Sequence, residues 1–291
     1  MKFLVTGGVG FIGTNLIKVL LKDGHEVVSI DNYSTGKKEN EQEGCKYFKV
    51  DICDYKSFDD FIEAPDVVFH LAALPRIQPS FKNPSITFKT NVEGTMNLLD
   101  WCKEKNIALV YAGSSSTHGG VYKNPYTFTK WQGEELCKLY SKVYSLQTAI
   151  CRFYNVYGPY QLTQGEYCTV IGIFERQHKN NEALTITGDG QQRRDFTHVD
   201  DIVDGFIKCG IDLITDDNSK ADGETFEFGR GINYSINEVA NIFGGEKKYI
   251  PQKKGEVRDT LCVDLKANEL LNWNPKRNLE DYIKKILNNV E

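Results

Sequence analysis

The chain has 291 residues, of which 40% are hydrophobic and 26% are charged, and its formal net charge is −5. A chain of this length buries about three quarters of its unfolded surface, which fits one large domain or two modest ones. The acidic balance and the scattered basic residues argue against a nucleic-acid partner, and no stretch approaches an apolar membrane span. The first residues enter a predicted strand directly, so we expect no signal peptide and no membrane partner.

The first 31 residues predict a strand, a glycine-rich turn, a helix and a second strand. Residues 2–5 form an apolar run typical of a buried strand, and the turn Thr-Gly-Gly-Val-Gly-Phe-Ile-Gly follows at once. Residues 14–22 have helical spacing, and Gly24 can end that helix. Residues 26–30 predict the next strand, which Asp31 follows. This order, with an acid about 20 residues after the glycines, is typical of a dinucleotide-binding unit.

Each residue type in this stretch has a physical reason. Gly8 and Gly10 let the backbone turn tightly and approach a pyrophosphate, and Gly13 lets the helix pack close to the strand. The helix N-terminus offers unpaired N–H groups and a positive dipole end to the phosphates. Asp31 can accept hydrogen bonds from a ribose diol, whereas a 2′-phosphate there would meet like charge. We therefore predict NAD rather than NADP; the alternative is a glycine-rich turn that serves packing alone.

Alternating strands and helices follow, which predicts a parallel, doubly wound sheet. The third, fourth and fifth strands are predicted over residues 47–50, 66–71 and 108–112, with a helix over 91–104. Asp51, just past the third strand, either hydrogen-bonds the adenine amino group or caps a helix that starts near Tyr55. The small residues Ala72 and Ala73, after the fourth strand, allow the chain to lie against the cofactor.

A polar loop and a Tyr–Lys pair follow the fifth strand. Residues 113–120 read Gly-Ser-Ser-Ser-Thr-His-Gly-Gly, and ligands of such sheets bind outside the carboxyl ends of the strands. Pro125 suits the first turn of a helix that is predicted to reach Tyr144. Tyr126 and Lys130 are four residues apart and therefore share one face of this helix.

The composition changes after the sixth predicted strand, Thr148–Phe153, where polar loops become more frequent. We therefore predict an α/β fold: a doubly wound parallel sheet of the Rossmann type with a smaller α/β substrate-binding lobe. The NAD-binding Rossmann domain is predicted over residues 1–158 and about 194–214, and the substrate-binding second lobe over about 159–193 and 215–291.

The cysteine and histidine patterns indicate neither disulfides nor a metal site. The eight cysteines include no Cys-x-x-Cys, and most have apolar neighbours, which favours reduced thiols in a cytoplasmic protein. The five histidines lack metal-ligand spacing, so we expect no metal.

Several short motifs occur together and in a fixed order along nearly the whole chain. They are Thr6-Gly7-x-x-Gly10-x-x-Gly13, Asp31, Asp51-Ile52, His70-Leu71-Ala72-Ala73, Asn91, Tyr126-x-x-x-Lys130, residues 152–159, the run Gly188-Asp189-Gly190-Gln191-Gln192-Arg193-Arg194-Asp195-Phe196, Gly255-Glu256-Val257-Arg258, and Leu271-Asn272-Trp273-Asn274-Pro275. In this order they make the chain resemble the extended short-chain dehydrogenase/reductase family. Within it, the chain is most similar to the nucleotide-sugar epimerases and dehydratases, and closest to the UDP-glucose (UDP-galactose) 4-epimerases.

The resemblance implies a catalytic role for three residues. Tyr126 would take the proton of the sugar 4-hydroxyl as hydride leaves C4 for NAD, Lys130 would hydrogen-bond the nicotinamide ribose, and Ser114 would hydrogen-bond the same sugar oxygen. A tyrosine base near neutrality needs a pKa about 3 units below its usual value of about 10, and Lys130 and the nicotinamide act in that direction. The implied cofactor residues are Gly7, Gly10, Phe11, Ile12, Gly13, Asp31, Asn32, Asp51, Ile52, Leu71, Ala72, Ala73 and Asn91, together with Tyr126 and Lys130.

The resemblance also implies the substrate contacts and the assembly. Ser115 and Ser116 would line the sugar pocket, and Asn155, Arg194 and Arg258 would contact the nucleotide diphosphate. The alternative for each arginine is a surface ion pair, and we expect Arg193 to be solvated. A homodimer through the two predicted helices 91–104 and 126–144 is a further implication.

Alternative reactions are distinguished at the strand-end serine. The family's 4,6-dehydratases and decarboxylases carry carboxyl groups there, whereas this chain has three serines, which favours 4-epimerisation of a nucleotide-diphosphate hexose. A catalytically silent NAD-sensing protein would not need Ser114, Tyr126 and Lys130 together. Tyr126 lies only 12 positions after Ser114, so the pocket is either more open there or closed by another segment. Thr260 or Leu261 would decide whether N-acetylhexosamines enter.

Overall fold

The computed structural model describes residues 1–54, 58, 63–215 and 218–288. Its centre is a parallel sheet of seven strands in the order β3-β2-β1-β4-β5-β6-β9. The strands are β1 (Lys2–Thr6), β2 (Glu26–Asp31), β3 (Lys46–Lys49), β4 (Val67–His70), β5 (Ala108–Ser114), β6 (Thr148–Phe153) and β9 (Thr225–Phe228). The order reverses between β1 and β4, where ligands of doubly wound sheets bind. This architecture confirms the predicted fold class.

Helices cover both faces of the sheet. They are α1 (Phe11–Lys22), α2 (Ile77–Lys82), α3 (Pro84–Phe88), α4 (Gly94–Lys105), α5 (Pro125–Tyr144), α6 (Val170–Lys179), α7 (Val199–Thr215), α8 (Ile236–Phe243), α9 (Lys266–Leu271) and α10 (Leu279–Leu287). The apolar sides of α1 and α7 pack on one face, and those of α4 and α5 pack on the other. Because both faces are covered, central strands such as β4 and β5 are buried at every residue, as parallel strands usually are.

The helix boundaries differ from the predictions in two places. Helix α1 begins at Phe11 rather than at residue 14, because Gly10 is its N-cap and the glycine turn leads straight into it. Residues 91–104 are not one regular α-helix: a π-helical turn, Lys89–Glu93, precedes α4. The wider turn places Asn91 inward, where its side chain is 1% exposed.

The second lobe has its own small core. It contains the parallel pair β7 (Leu184–Thr187) and β11 (Lys247–Ile250) and the antiparallel pair β8 (Arg193–Asp195) and β10 (Asn233–Ser235). Side chains of α6, α8 and α10 form this core together with Leu184 and Ile186 of β7.

The C-terminal part of the chain contributes to both lobes. Residues 215–291 are predicted to belong to the second lobe, whereas β9 pairs in parallel with β6 and extends the large sheet. Phe226 and Phe228 of β9 are fully buried in the core of that sheet, together with Ala267 of α9 and Trp273. The burial of these apolar side chains explains why the segment joins the first lobe.

No helix in the described ranges combines the length and the apolar character that crossing a membrane requires.

The close contact of α7 with β9 generates a stability prediction. A Cβ on Gly205 would lie 2.3 Å from the Phe228 ring. Helix propensity alone would favour Gly205→Ala by about 1 kcal/mol, but overpacking costs about 1–3 kcal/mol. We expect the free energy of unfolding to fall by about 1–2 kcal/mol in urea denaturation. Asp204→Ala, the exposed neighbour on the same helix, is the control and should change it by less than about 0.5 kcal/mol. A Gly205→Ala variant as stable as the wild type would contradict this packing.

Candidate active site

A cavity of about 770 Å³ opens at the carboxyl edge of the large sheet and extends between the two lobes. This volume is in the range of a cofactor and substrate site. Most of the predicted site residues line it: Gly7, Gly10, Phe11, Ile12, Gly13, Asp31, Asn32, Ile52, Leu71, Ala72, Ala73, Ser114, Ser115, Ser116, Tyr126, Lys130, Asn155 and Arg194. Three do not: Asp51, Asn91 and Arg258.

The glycine turn has the shape that a dinucleotide needs. A Cβ on Gly13 would lie 2.2 Å from the carbonyl oxygen of Gly7, and one on Gly7 would lie 2.9 Å from the backbone of Ala72. These glycines are therefore required by packing. Gly10 differs: its φ of −78° suits any residue, and its Cβ would meet only the Gly7 carbonyl, at 3.1 Å. The open space beside Gly10, at the N-terminus of α1, fits a pyrophosphate.

The acid after β2 is held by the same turn. One carboxylate oxygen of Asp31 accepts the Val9 N–H at 3.2 Å, and the other accepts the Tyr33 N–H at 2.7 Å. Burial raises the pKa of Asp31, and these two N–H groups oppose that effect. The carboxylate lines the cavity, where its remaining lone pairs can accept from a ribose diol.

Asp51 and Asn91 support the site from outside the cavity. Asp51 accepts the side-chain amide of Asn32 at 3.0 Å and the Cys53 N–H at 2.8 Å. A helix that Asp51 would cap near Tyr55 lies outside the described residues. Asn91 accepts the Leu74 N–H at 2.8 Å, so it holds the loop after β4.

Ser114, Tyr126 and Lys130 meet at one wall of the cavity. The Tyr126 hydroxyl donates to Ser114 Oγ at 3.5 Å, and Ser114 Oγ lies 2.9 Å from Ser116 Oγ. Lys130 Nζ lies 4.3 Å from the centre of the Tyr111 ring. Helix α5 positions Tyr126 and Lys130, because Asn124 caps its N-terminus and Pro125 occupies its first turn.

The burial of these groups shifts their pKa values. Burial lowers the pKa of Lys130 to about 8, although Glu134 acts in the opposite direction. Burial raises the pKa of Tyr126, while the hydrogen bond to Ser114 and the Arg76 guanidinium lower it. The sequence predicts that Lys130 and the nicotinamide lower the pKa of Tyr126; Arg76, which the sequence did not indicate, acts in the same direction.

A buried ion cluster anchors this wall. Glu134, which is 0% exposed, receives Arg152 through Nε at 3.0 Å and through Nη2 at 2.7 Å. Its other oxygen also accepts the Ser114 N–H at 3.4 Å. Glu227 on β9 binds Arg152 at 3.0 Å and His118 at 2.8 Å, and this hydrogen bond raises the pKa of His118. The cluster therefore ties α5 to β5, β6 and β9.

The predicted phosphate contacts are only partly brought together. Arg194 lines the cavity, and its Nη1 donates to the backbone carbonyls of Arg193 and Arg258. The Arg258 side chain lies outside the cavity in a two-fold ion pair with Asp189, at 2.8 and 2.9 Å. Arg193, which is expected to be solvated, has a side chain that is 38% exposed, and it also hydrogen-bonds Asn233 at 2.8 Å and pairs with Glu238 at 3.1 Å.

Asn155 and Thr260 form the floor of this end of the cavity. The Asn155 amide donates to the Asp195 carbonyl at 3.1 Å and to Thr260 Oγ1 at 3.2 Å. Both residues line the cavity, whereas Leu261 does not and is 43% exposed.

The short loop before α5 is covered by residues 254–257, which we call the covering segment. A Cβ on Gly119 would lie 2.3 Å from the Val257 side chain, and Asn124 donates to the Gly255 carbonyl at 3.4 Å. Gln78 of α2 donates to the Lys254 carbonyl at 2.9 Å. Of the two alternatives, closure by another segment is therefore the one observed.

Two site residues were not found from the sequence. Glu134 follows Lys130 by four residues and so shares its helix face, which is a usable signal. Arg76 lines the cavity six residues after β4, and only its place at the ligand edge of the sheet could have indicated it.

Comparison with known proteins agrees with this geometry. Residues 3–210 match the NAD dependent epimerase/dehydratase family. The chain is 34% identical to a Methanocaldococcus jannaschii protein named putative UDP-glucose 4-epimerase, over 98% of this chain and 97% of that protein.

Two solved structures are similar over nearly their whole length. A UDP-glucose 4-epimerase of Thermotoga maritima with UDP-glucose has a TM-score of 0.91 and 29% identity, over 99% of this chain and 98% of that chain. A UDP-glucuronic acid 4-epimerase of Bacillus cereus, in complex with UDP-glucuronic acid and NAD, has a TM-score of 0.87 and 29% identity, over 98% and 97%.

The buried ammonium of Lys130 generates a prediction about pH. Its pKa in the fold is about 8, below the usual 10.5. Below pH 8 the buried ammonium therefore lowers the free energy of unfolding. This destabilisation disappears as the pH rises to about 10.5, because the folded protein then holds the neutral amine. We expect Lys130→Met to raise the free energy of unfolding of the cofactor-free protein by about 2–3 kcal/mol at pH 7. In urea titrations, the difference in free energy of unfolding between the variant and the wild type should shrink between pH 8 and 10.5. A difference that is constant over this range would contradict the lowered pKa of Lys130.

Proposed function

The chain belongs to the NAD dependent epimerase/dehydratase family, and from this premise we propose that it inverts C4 of a nucleotide-diphosphate hexose through a transient 4-keto sugar. The observation that carries the proposal is the meeting of the Tyr126 and Ser114 hydroxyls at one wall of a cavity that also contains the glycine turn. A phenol and a hydroxyl at that distance can both contact one sugar oxygen.

Each residue of this wall has a defined task. NAD, when bound, would supply the acceptor and then the donor of the C4 hydride, so it would be regenerated in every turnover. Tyr126 takes the proton of the 4-hydroxyl and gives it back, and Ser114 donates a hydrogen bond that holds the same oxygen. Lys130 binds the nicotinamide ribose from the same helix face. A positioned base of this kind typically contributes about 10²–10⁴-fold in rate.

The cavity supports the cofactor and substrate assignments at its two ends. Gly10 leaves space for the pyrophosphate at the N-terminus of α1, and Asp31 presents its carboxylate to the ribose, which favours NAD over NADP. Arg194 and Asn155 line the opposite lobe, where we place the nucleotide diphosphate of the substrate. Arg258 is paired with Asp189 in this structure, so it can contact the same phosphates only after its side chain moves away from Asp189.

The other reactions of this scaffold fit the site less well. A dehydratase or a decarboxylase uses a carboxyl group beside the sugar, but Ser114, Ser115 and Ser116 stand at this position. The neighbouring carboxylate, Glu134, is fully buried and engaged by Arg152. A catalytically silent NAD-sensing protein would need neither hydroxyl. N-acetylated hexoses stay within the proposal, since the small Thr260 rather than Leu261 lines the cavity.

We also propose that the chain works in the cytoplasm, without a membrane or nucleic-acid partner, as a homodimer. All eight cysteines are free thiols, which suits a reducing compartment. The dimer is supported by apolar side chains on the outer sides of α4 and α5: Met96 is 40% exposed, Leu139 49% and Val143 60%.

The dimer proposal predicts a change of mass on substitution. We expect light scattering to give twice the chain mass for the wild type. The double substitution Leu139→Asp and Val143→Asp should give the monomer, because two buried carboxylates would be unpaired in the interface. Leu270→Asp, at an exposed leucine of α9, is the control and should remain dimeric. A monomeric wild type would refute the dimer.

The catalytic proposal is tested with Tyr126→Phe. The wild type should interconvert UDP-glucose and UDP-galactose, or their N-acetylated forms, as followed by NMR of the sugar. The variant should retain bound NAD, seen by absorbance after denaturation, yet lose turnover by at least about 10²-fold because the base is gone. Near-normal turnover in the variant would refute the assignment of Tyr126, and a wild type inactive on every nucleotide hexose would refute the reaction.

A further inference from the structure

Arg76 places a guanidinium on the cavity wall without a carboxylate partner. Its Nε donates to the Tyr167 carbonyl at 2.9 Å. Among the described residues, no carboxylate lies within ion-pair distance of this side chain, and none supplies a hydrogen-bond acceptor to its Nη groups. Arg76 is half-buried on the cavity wall, and this burial lowers the pKa of its guanidinium. A half-buried guanidinium without an anion is unfavourable unless a ligand supplies one.

The backbone at Arg76 also departs from what the residue prefers. Its φ is +87° and its ψ is 139°, a conformation that glycine adopts freely and arginine rarely adopts. The residue stands at the N-terminal boundary of α2, where glycine would serve the turn equally well. Strained residues of this kind cluster at ligand sites, where the side chain, not the turn, explains the residue type.

The neighbours of Arg76 locate the missing anion. Arg76 is the N-terminal boundary residue of α2, and Ser80 Oγ of the same helix accepts the Tyr126 N–H at 3.1 Å, so Arg76 and Tyr126 line the same end of the cavity, where the sugar reacts. Lys82, another cation of this wall, is already paired with Glu166. Arg194 lies in different surroundings, with Glu256 and Asp259 as its charged neighbours. The two guanidiniums therefore serve different parts of a ligand.

We propose that Arg76 binds a carboxylate carried by the sugar of the substrate, beside the carbon that reacts. The inference rests on the proposed function, because that function places C4 at Tyr126. The substituents adjacent to C4 are C6, through C5, and the oxygen on C3. The anion is therefore either the 6-carboxylate of a uronic acid or the carboxylate of an acidic ether on O3. A guanidinium matches both, because it can give a carboxylate two parallel hydrogen bonds.

A second role of Arg76 would give a different result. If Arg76 only lowers the pKa of the Tyr126 phenol, its loss should affect neutral and acidic sugars equally. The pH profile of kcat with a neutral sugar would then move to higher pH. If Arg76 binds a carboxylate, its loss instead changes the ratio of the affinities for acidic and neutral sugars. This ratio does not depend on the amount of folded protein.

The experiment measures binding in the NAD-loaded Tyr126→Phe background, so that sugars stay unconverted. Isothermal titration compares UDP-glucuronate with UDP-glucose, and UDP-N-acetylmuramate with UDP-N-acetylglucosamine. We expect one acidic sugar to bind about tenfold or more tighter than its neutral partner. Arg76→Gly, which suits the backbone conformation, should abolish this preference, and Arg76→Lys should restore part of it. Lys22→Met, at an exposed lysine in the last turn of α1 and outside the cavity lining, is the control for charge and should retain the preference.

The outcomes separate the two anion positions and the two proposals. If UDP-glucuronate binds tighter than UDP-glucose and this difference depends on Arg76, the carboxylate is at C6. If UDP-N-acetylmuramate binds tighter than UDP-N-acetylglucosamine in the same way, the carboxylate is on O3. Equal affinities within both pairs, or equal weakening of acidic and neutral sugars in Arg76→Gly, would overturn the inference. Binding that depends on Arg76 in a protein without epimerase activity would instead refute the proposed function and leave the carboxylate site standing.

Discussion

The geometry of the site depends on one buried carboxylate. Glu134 has no contact with solvent, and a buried carboxylate is tolerated only if it is paired and hydrogen-bonded. Its partners are the Arg152 guanidinium on β6 and the N–H of Ser114 at the end of β5. If helix α5 slid along the sheet, Glu134 would therefore lose Arg152 and leave a buried charge unpaired. Because Tyr126 and Lys130 precede Glu134 on the same helix, the pairing fixes both relative to the serine.

The site contains groups that burial makes unfavourable. The Lys130 ammonium has a pKa of about 8, burial raises the pKa of the Tyr126 phenol, and Arg76 combines a half-buried charge with a positive φ. Selection for stability alone would replace each of these groups. The sheet, which is covered on both faces, compensates for their destabilising effect, and natural proteins retain strained functional sites in this way.

Features that depend on neighbouring residues were predictable, and those that depend on distant contacts were not. The glycine turn, Asp31 and the serine–tyrosine–lysine set follow from local patterns placed on the strands of one sheet. Residue type alone could not show that Arg258 pairs with Asp189, because that contact depends on the loop geometry of the second lobe. The same holds for the covering segment, which reaches Gly119 from more than 130 residues away, and for β9, whose phenylalanines pack in the first lobe.

The position of β9 at the edge of the large sheet constrains how the protein is made. In the finished fold the outer edge of strand β6 is paired with β9, and α6, β7, β8 and α7 lie between these two strands in the chain. During synthesis on the ribosome, the NAD-binding half therefore emerges with an unpaired strand edge, and edges of this kind recruit other chains. The nascent chain is thus most vulnerable to aggregation in the interval between the emergence of Phe153 and that of Phe228.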